Sequence, residues 1–218
     1  MEQTEQKEIR AMVMFMICAI FGQCVGVKIL QMILEDVPGY MTARVMESVG
    51  IVLLIIFCKF TPFRIYRTGL TASGKEVRRT LIRCGCICIG MIVCFLIARV
   101  VMTQFNDEIR TRPWFYPYFN IHMRWLYPFT AVLQEFFAKG VIQESMKRIF
   151  GTEHIWLSIV ACSLFLGILH MGYPLYYMFA AAMLSIVTGL IYEKDRNIWG
   201  CVMIHFCLGF LPRAMGLK

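Results

Sequence analysis

The stretch AVLQEFFAKGVIQESM, residues 131–146, has the apolar character of a membrane helix but contains Gln134, Glu135 and Lys139. A charged side chain at the centre of a bilayer helix costs roughly 2.5–3.5 kcal/mol on insertion scales, so such residues mark functional sites or internal pairs. On a helix, Glu135 and Lys139 are four residues apart and share one face, which allows them to pair. Such a pair also has a purely structural interpretation, in which it locks one helix against another.

The composition of the whole chain places this stretch in a membrane protein. Of the 218 residues, 59% are hydrophobic and 17% are charged, against about 45–50% and about 25% in soluble domains. A spanning helix needs about 20 predominantly apolar residues. The sequence therefore predicts an all-α fold, a polytopic membrane helix bundle of about seven transmembrane helices. The predicted segments are approximately 11–34, 45–62, 81–103, 126–145, 155–171, 174–192 and 197–212.

The basic residues predict the orientation of the bundle. Residues 59–83 lie between the second and third apolar segments and contain seven Lys/Arg and one acid, Glu76. Positive loops stay cytoplasmic, so we predict that this loop and the N-terminus face the cytoplasm of an integral protein of the plasma membrane. The net charge of +8 then reflects the orientation of the bundle in the membrane. We expect the lipid bilayer, and no nucleic acid, as a partner. The aromatic segment at 112–128, RPWFYPYFNIHMRWLYP, is predicted to lie along the outer interface.

Two further apolar segments carry a histidine. His170 ends the fifth, SLFLGILHMGYP, and His205 lies inside the seventh, NIWGCVMIHFCLGF. At 1.5 Å per residue, Glu135 is about 14 Å from the outer side and His205 about 12 Å from the inner side. The two can therefore meet near the middle of a bilayer core roughly 30 Å thick. A carboxylate can activate water and imidazoles can bind a metal or transfer protons, so we predict a shared site.

The order of these motifs resembles the CAAX prenyl endopeptidase and bacteriocin-processing family, intramembrane metalloproteases also called the Abi family. The family's Glu-Glu-x-x-x-Arg followed by Gly is matched by residues 134–140 and its His-x-x-x-Asn by residues 205–209. Its Phe-x-x-x-His is matched by residues 166–170, with Leu166 in the first position and Phe165 one place early. The resemblance predicts a CAAX-protease-like helix core at 126–213. The N-terminal membrane helices at 1–125, with the basic loop and the aromatic segment, complete one integrated membrane domain.

The resemblance implies an intramembrane metalloendopeptidase that hydrolyses a peptide bond of a membrane-associated peptide or protein. In that interpretation Glu135, paired with Lys139, activates the attacking water, and Gln134 donates a hydrogen bond to the scissile carbonyl. His170 and His205 hold a divalent metal, with zinc as the preferred candidate, and the metal lowers the pKa of the bound water. A metal-free site, with the histidines as acid and oxyanion donor, is the alternative.

Three further positions depart from the family motifs. Gln134 replaces the first glutamate, Lys139 replaces the arginine, and Gly209 replaces the asparagine. Together they suggest a variant branch of the family. They also leave open a non-catalytic relative that acts as an immunity factor or membrane scaffold. A small transporter, whose polar residues line a substrate path, is the third class, and we find no internal repeat in support of it.

Overall fold

The computed structural model describes residues 2–35, 37, 39–65, 68–115 and 126–217. These residues form helices and contain no β-strand. A π-helical segment (Phe136–Gln143) lies between the fifth and sixth α-helices. The α-helices of the described residues are α1 (Glu2–Ile33), α2 (Gly39–Phe60), α3 (Gly74–Met102), α4 (Asp107–Thr111), α5 (Tyr127–Glu135), α6 (Glu144–Phe150), α7 (Ile155–Leu169), α8 (Leu175–Asp195) and α9 (Trp199–Ala214).

Every apolar segment predicted from the sequence falls on a helix, which confirms the fold class. Helices α1, α2, α3 and α8 are long and apolar enough to cross a membrane, and α7 and α9 are shorter apolar helices. The chain is therefore an integral membrane protein with an all-helical fold. The largest difference is at α1, which begins at Glu2 and not near residue 11. Its first turns contain Glu, Gln and Lys, which are good helix formers despite their polarity.

The aromatic segment predicted at 112–128 is described only in part, because residues 116–125 lie outside the described residues. Shortly before it, the chain forms the short helix α4, which the apolar pattern did not predict. Asn106 caps this helix, since its side-chain oxygen accepts the N–H of Ile109 at 3.1 Å. Such a cap satisfies one of the backbone donors that a helix start leaves unpaired.

The first of two compact units consists of Met1–Thr68 and Phe136–Leu190. Part of its core is aromatic. The ring of Phe15 lies 5.6 Å from that of Phe57 and 4.9 Å from that of Phe63, measured between centroids. All three side chains are buried, so α1 and the end of α2 share one apolar core.

Helices α1 and α2 approach closely at two glycines of α1. A Cβ atom at Gly22 would lie 2.7 Å from Cγ1 of Val49, and one at Gly26 would lie 2.4 Å from Cγ1 of Val45. Two glycines four residues apart leave a shallow groove that lets membrane helices pack at short distance. A larger residue at either position would force the two helices apart.

The second unit consists of Gly69–Glu135 and Ile191–Lys218. Its helices α3 and α9 pack against each other at Gly200. A Cβ atom there would lie 2.4 Å from Cγ2 of Thr80 and 2.6 Å from Sγ of Cys84. Glycine is needed at this position because the two helices meet side by side without room for a methyl group.

A buried asparagine fixes the start of α9, the helix that carries the site histidine described below. The side-chain amide of Asn197 donates to Oγ1 of Thr80 at 3.0 Å and to the carbonyl of Asp195 at 3.1 Å. Its oxygen accepts the N–H of Trp199 at 3.3 Å. Arg83 forms an ion pair with Asp195. These contacts hold the turn before α9 against α3.

The π segment lies inside the stretch 131–146, which contains Gln134, Glu135 and Lys139. In a π-helix the backbone bonds run from residue i to i+5, and such segments occur frequently at functional sites. Residues 138–143 are all buried. A Cβ atom at Gly140 would lie 2.9 Å from the Cα and carbonyl oxygen of Thr68, so the backbone of the first unit packs directly on this glycine. The sequence did not predict the π segment, because nearly all its positions are apolar and show no readable period.

Candidate active site

Glu135, the last residue of α5, is hydrogen-bonded to His205 in the interior of α9. Oε1 of Glu135 lies 2.7 Å from Nδ1 of His205. The two side chains are only 5% and 15% exposed, and both belong to the second unit. A buried carboxylate is costly unless it is hydrogen-bonded, and the carboxylate in turn fixes the orientation of the imidazole ring. The structure thus brings together two of the five residues predicted for the site.

The partners of the two candidate histidines determine which ring nitrogen carries the hydrogen. Nδ1 of His205 faces the carboxylate of Glu135, and Nδ1 of His170 lies 2.7 Å from the carbonyl oxygen of Leu166. An ionised carboxylate and a carbonyl oxygen only accept hydrogen bonds. We therefore assign the hydrogen of each neutral imidazole to Nδ1. The lone pair then lies on Nε2, the atom that can bind a metal or accept a proton.

His170 is the residue that follows α7, in the first unit. The end of this helix is fixed by α1, because the amide of the fully buried Gln23 donates to the carbonyl of Leu169 at 3.0 Å. His170 is thus held at a defined position within its own unit. Glu135 and His205 belong to the other unit, and the convergence of all three side chains stays a prediction.

The loop that follows His170 contains a half-buried phenol, that of Tyr173. The rings of His170 and Tyr173 are 5.7 Å apart between centroids. Burial, and after it the nearby carboxylate of Glu47, raises the pKa of Tyr173 to about 12. Glu47 is itself buried and bonded to Arg44 at 2.7 and 2.9 Å. This loop therefore holds a neutral phenol beside an ion pair of which only the carboxylate is buried, a polar cluster that the sequence did not predict.

Lys139 lies in the π segment and is fully buried in the first unit. Its ammonium group donates to the carbonyl oxygen of Ser185 at 2.9 Å and to the hydroxyl of Ser185 at 3.0 Å. That hydroxyl also lies 3.1 Å from the hydroxyl of Ser163. Serines inside an apolar segment carry no signal that would have identified these partners from the sequence. The pairing of Lys139 with Glu135 would join the two units and stays a prediction.

Two further side chains of α5 belong to the surroundings of the pair. Gln134 is half-buried and precedes Glu135 directly; its predicted contact with a substrate carbonyl stays a prediction. Tyr127 was not predicted. Its hydroxyl donates to the backbone carbonyl of His205 at 3.3 Å. The signal was weak, because Tyr127 belongs to the aromatic segment at 112–128, which we interpreted as an anchor at the membrane interface.

The two predicted metal ligands have ring contacts of the kind that metal-binding histidines make. Such histidines usually donate their second ring N–H to a carboxylate or a backbone carbonyl, as His205 and His170 do. A catalytic zinc has three protein ligands. Within the described ranges, no group of three or more His, Cys, Asp or Glu side chains is placed to hold a metal ion. The Nδ1 contacts of His170 and His205 therefore fit those of metal-binding histidines.

A comparison with protein families identifies the part of the chain that contains this pair. Residues 119–211 match the family model described as type II CAAX prenyl endopeptidase Rce1-like. Over these residues the chain is similar to this family, and we call residues 119–211 the Rce1-like region. The Rce1-like region includes all five predicted site residues, and the match confirms the family resemblance of the three motifs. No curated protein and no solved structure matches the chain.

Proposed function

We propose that the chain is an intramembrane endopeptidase of the CAAX type, which hydrolyses a peptide bond of a membrane-associated peptide or protein. The observation that carries this proposal is the 2.7 Å contact between Glu135 and His205 within the Rce1-like region. A buried carboxylate held by a titratable ring is a group that can take a proton from water and return it. An ordinary helix-packing contact would need neither of the two titratable groups.

In the proposed reaction, Glu135 removes a proton from a water molecule. The water oxygen attacks the carbonyl carbon of the scissile peptide bond. The proton is then returned to the leaving nitrogen as the carbon–nitrogen bond breaks, so the products are a carboxylic acid and an amine. His205 holds Oε1 of Glu135 through Nδ1–H, and we propose Oε2 as the proton acceptor. This oxygen is buried, where the low dielectric strengthens its interaction with a bound water.

The negative charge that develops on the substrate oxygen needs a donor. We propose the side-chain amide of Gln134 for this role, because it is half-buried and adjacent in sequence to the base. Preorganised donors of this type contribute about 10²–10³-fold to the rate in other enzymes. A glutamine at this position also leaves Glu135 as the only ionisable residue of the two, which supports its assignment as the base.

We propose that His170 and His205 would hold a divalent metal ion, with zinc as the preferred candidate. The ion would act as a Lewis acid. The steps above require only the chain's own residues. The metal proposal is tested by metal analysis of the purified protein beside a His170→Ala, His205→Ala double variant. We expect the double variant to lose the bound metal. Equal metal content in both proteins would remove these histidines as ligands and favour the metal-free site.

The proposed activity is tested with purified protein in lipid nanodiscs and two fluorogenic peptides that end in a CAAX sequence, one farnesylated and one not. We expect the wild-type protein to cleave at least one of them, with product identified by mass spectrometry. The Glu135→Gln variant, purified in the same way, gives the background. Cleavage of neither peptide above that background would overturn the proposal and favour a non-catalytic relative that acts as an immunity factor or scaffold.

We also propose that the N-terminus and the basic loop face the cytoplasm and that the protein resides in the plasma membrane. The proposal rests on the seven Lys/Arg at 59–83. It is tested with a Thr71→Cys reporter in a cysteine-free background, which spares Ser73, the cap of α3. We expect impermeant reagents to label this cysteine only in broken cells. Equal labelling of intact cells would reverse the orientation.

A further inference from the structure

Tyr127 makes three contacts with one turn of α9. Its hydroxyl lies 3.3 Å from the carbonyl oxygen of His205. Its ring lies 6.2 Å from the imidazole of His205, edge to face, and 5.7 Å from the ring of Phe206. At the far end of the same turn, a Cβ atom on Gly209 would lie 1.7 Å from the tyrosine hydroxyl oxygen. The phenol thus occupies the space that any side chain at position 209 would need.

We propose that Tyr127 is a positioning residue for the Glu135–His205 pair, and that Gly209 leaves the space that the tyrosine side chain occupies. This inference rests on the proposed function, because it assigns Tyr127 a part in holding the proposed catalytic groups. Tyr127 itself does not touch the reacting atoms in this account. It acts through the backbone of His205, which it holds from the carbonyl side.

The physical basis is that two residues of α5 hold the same residue of α9. Glu135 binds the ring of His205, and Tyr127, eight residues earlier, binds its carbonyl. In an α-helix the carbonyl of residue 205 accepts the N–H of residue 209, and its second lone pair can accept the phenol. Because α5 contacts both the imidazole ring and the backbone carbonyl of His205, rotation or sliding of α9 would break two contacts at once.

Glycine at position 209 follows from this arrangement. A methyl group there would meet the hydroxyl at 1.7 Å and Cζ of Tyr127 at 2.4 Å, so the phenol would have to move. Because the hydroxyl is the outer end of a side chain, it can be displaced without unfolding the helix pair. Gly209→Ala should therefore remove the hydroxyl from the His205 carbonyl while both helices remain packed.

The first arm of the test measures peptide cleavage. We expect Tyr127→Phe to lower kcat about two- to fivefold with an unchanged KM, because a distance of 3.3 Å is long for an O–H···O bond and its contribution is at the low end. Gly209→Ala should give a decrease at least as large. The double variant should lose no more than the worse single variant. Tyr176→Phe is the matched control, since Tyr176 is exposed and belongs to the first unit.

The second arm does not depend on activity. In protein labelled with ¹⁵N-histidine, the Nδ1 proton of His205 is assigned by its loss in His205→Ala. We expect this proton to exchange with solvent about two- to fivefold faster in Tyr127→Phe and in Gly209→Ala than in the wild type, and at the wild-type rate in Tyr176→Phe. Unchanged exchange in both Tyr127→Phe and Gly209→Ala would overturn the positioning role. Faster exchange in a protein that cleaves no peptide would support that role and reject only the proposed activity.

Discussion

Glu135 and Lys139 lie four residues apart in one polar motif, yet their side chains have different kinds of partner. Glu135 is bonded to the imidazole of His205, a group that titrates near neutral pH in its free form. Lys139 donates to the carbonyl and the hydroxyl of Ser185, two neutral oxygens. Both side chains are buried. Their difference therefore lies in the chemistry of the partner and not in their exposure to solvent.

If the proposed function holds, one motif serves both reaction and fold. A carboxylate beside an imidazole can exchange protons with it and with water. The ammonium group of Lys139 donates to two neutral oxygens of Ser185, and these contacts join the π segment to α8 within the first unit. Ser163 on α7 extends this network through the Ser185 hydroxyl. We infer that Glu135 serves the reaction and that Lys139 serves the packing of three helical segments.

The largest effect on activity is expected at Glu135. Glu135→Gln keeps the size of the side chain and a hydrogen-bonding oxygen but removes the charge, so kcat should fall about 10²–10⁴-fold. The melting temperature in nanodiscs should change little, because the amide can still contact His205. Gln134→Glu is the companion variant. It restores the family's first glutamate and should raise activity, while a second carboxylate at this half-buried position beside Glu135 should lower stability.

The assignment of the base would be wrong if Glu135→Gln cleaved peptide at the wild-type rate while His205→Ala did not. In that case the imidazole alone would accept the proton. Circular dichroism of each variant in the same nanodiscs is the control for correct folding.

The second-largest effect is expected at Lys139, and it concerns stability. Lys139→Ala leaves a cavity and removes two contacts with Ser185, so the free energy of unfolding should fall by about 2–4 kcal/mol, or about 4–16 °C in melting temperature. Its kcat should stay within tenfold of the wild type at a temperature where both are folded. Lys194→Ala is the control, because Lys194 is exposed on α8 and such changes usually stay within about 0.5 kcal/mol.

The comparison would fail if Lys139→Ala lost as much activity as Glu135→Gln at an unchanged melting temperature. Lys139 would then belong to the reacting groups, as its predicted pairing with Glu135 implies.

A smaller effect is expected at Tyr173, another polar group of the first unit that the structure keeps neutral. Its pKa is raised to about 12 from the usual 10 by burial and by Glu47. A raised pKa stabilises the folded protein fully below pH 10, and that contribution is lost as the pH rises from 10 to 12. The loss amounts to at most about 2–3 kcal/mol. The stability difference between wild type and Tyr173→Phe should therefore change between pH 9 and pH 12 and stay constant below pH 9.

A difference that stays constant up to pH 12 would show that the phenol ionises alike in the folded and unfolded chain. The interpretation of the loop after α7 as a neutral polar cluster would then be wrong.

The sequence predicted the helices well, because long apolar segments have few alternatives in a membrane chain. It also placed Glu135, His170 and His205 among the candidates, since ionisable residues stand out in apolar segments. It did not predict the partners of Lys139. Ser185 is 46 residues away along the chain, and an apolar segment that contains serine has no local pattern that identifies the residue it contacts.

The π segment and the role of Tyr127 were missed for related reasons. An eight-residue apolar stretch cannot show whether its backbone bonds run from i to i+4 or to i+5. Tyr127 sits at the border of an aromatic segment whose composition alone is typical of a membrane interface. Its contact with His205 depends on the absence of a side chain at Gly209, which becomes visible only when α5 and α9 are placed together.

The central claim is that Glu135 and His205 act as one unit, and a double-mutant cycle on peptide cleavage tests it most directly. The four proteins are the wild type, Glu135→Gln, His205→Ala and the double variant, each measured as kcat in the same nanodiscs. Residues that act together show strongly non-additive losses. We predict that the double variant loses no more than about threefold beyond the worse single variant. A loss equal to the product of the two single losses would show that the two residues act independently and would contradict the account.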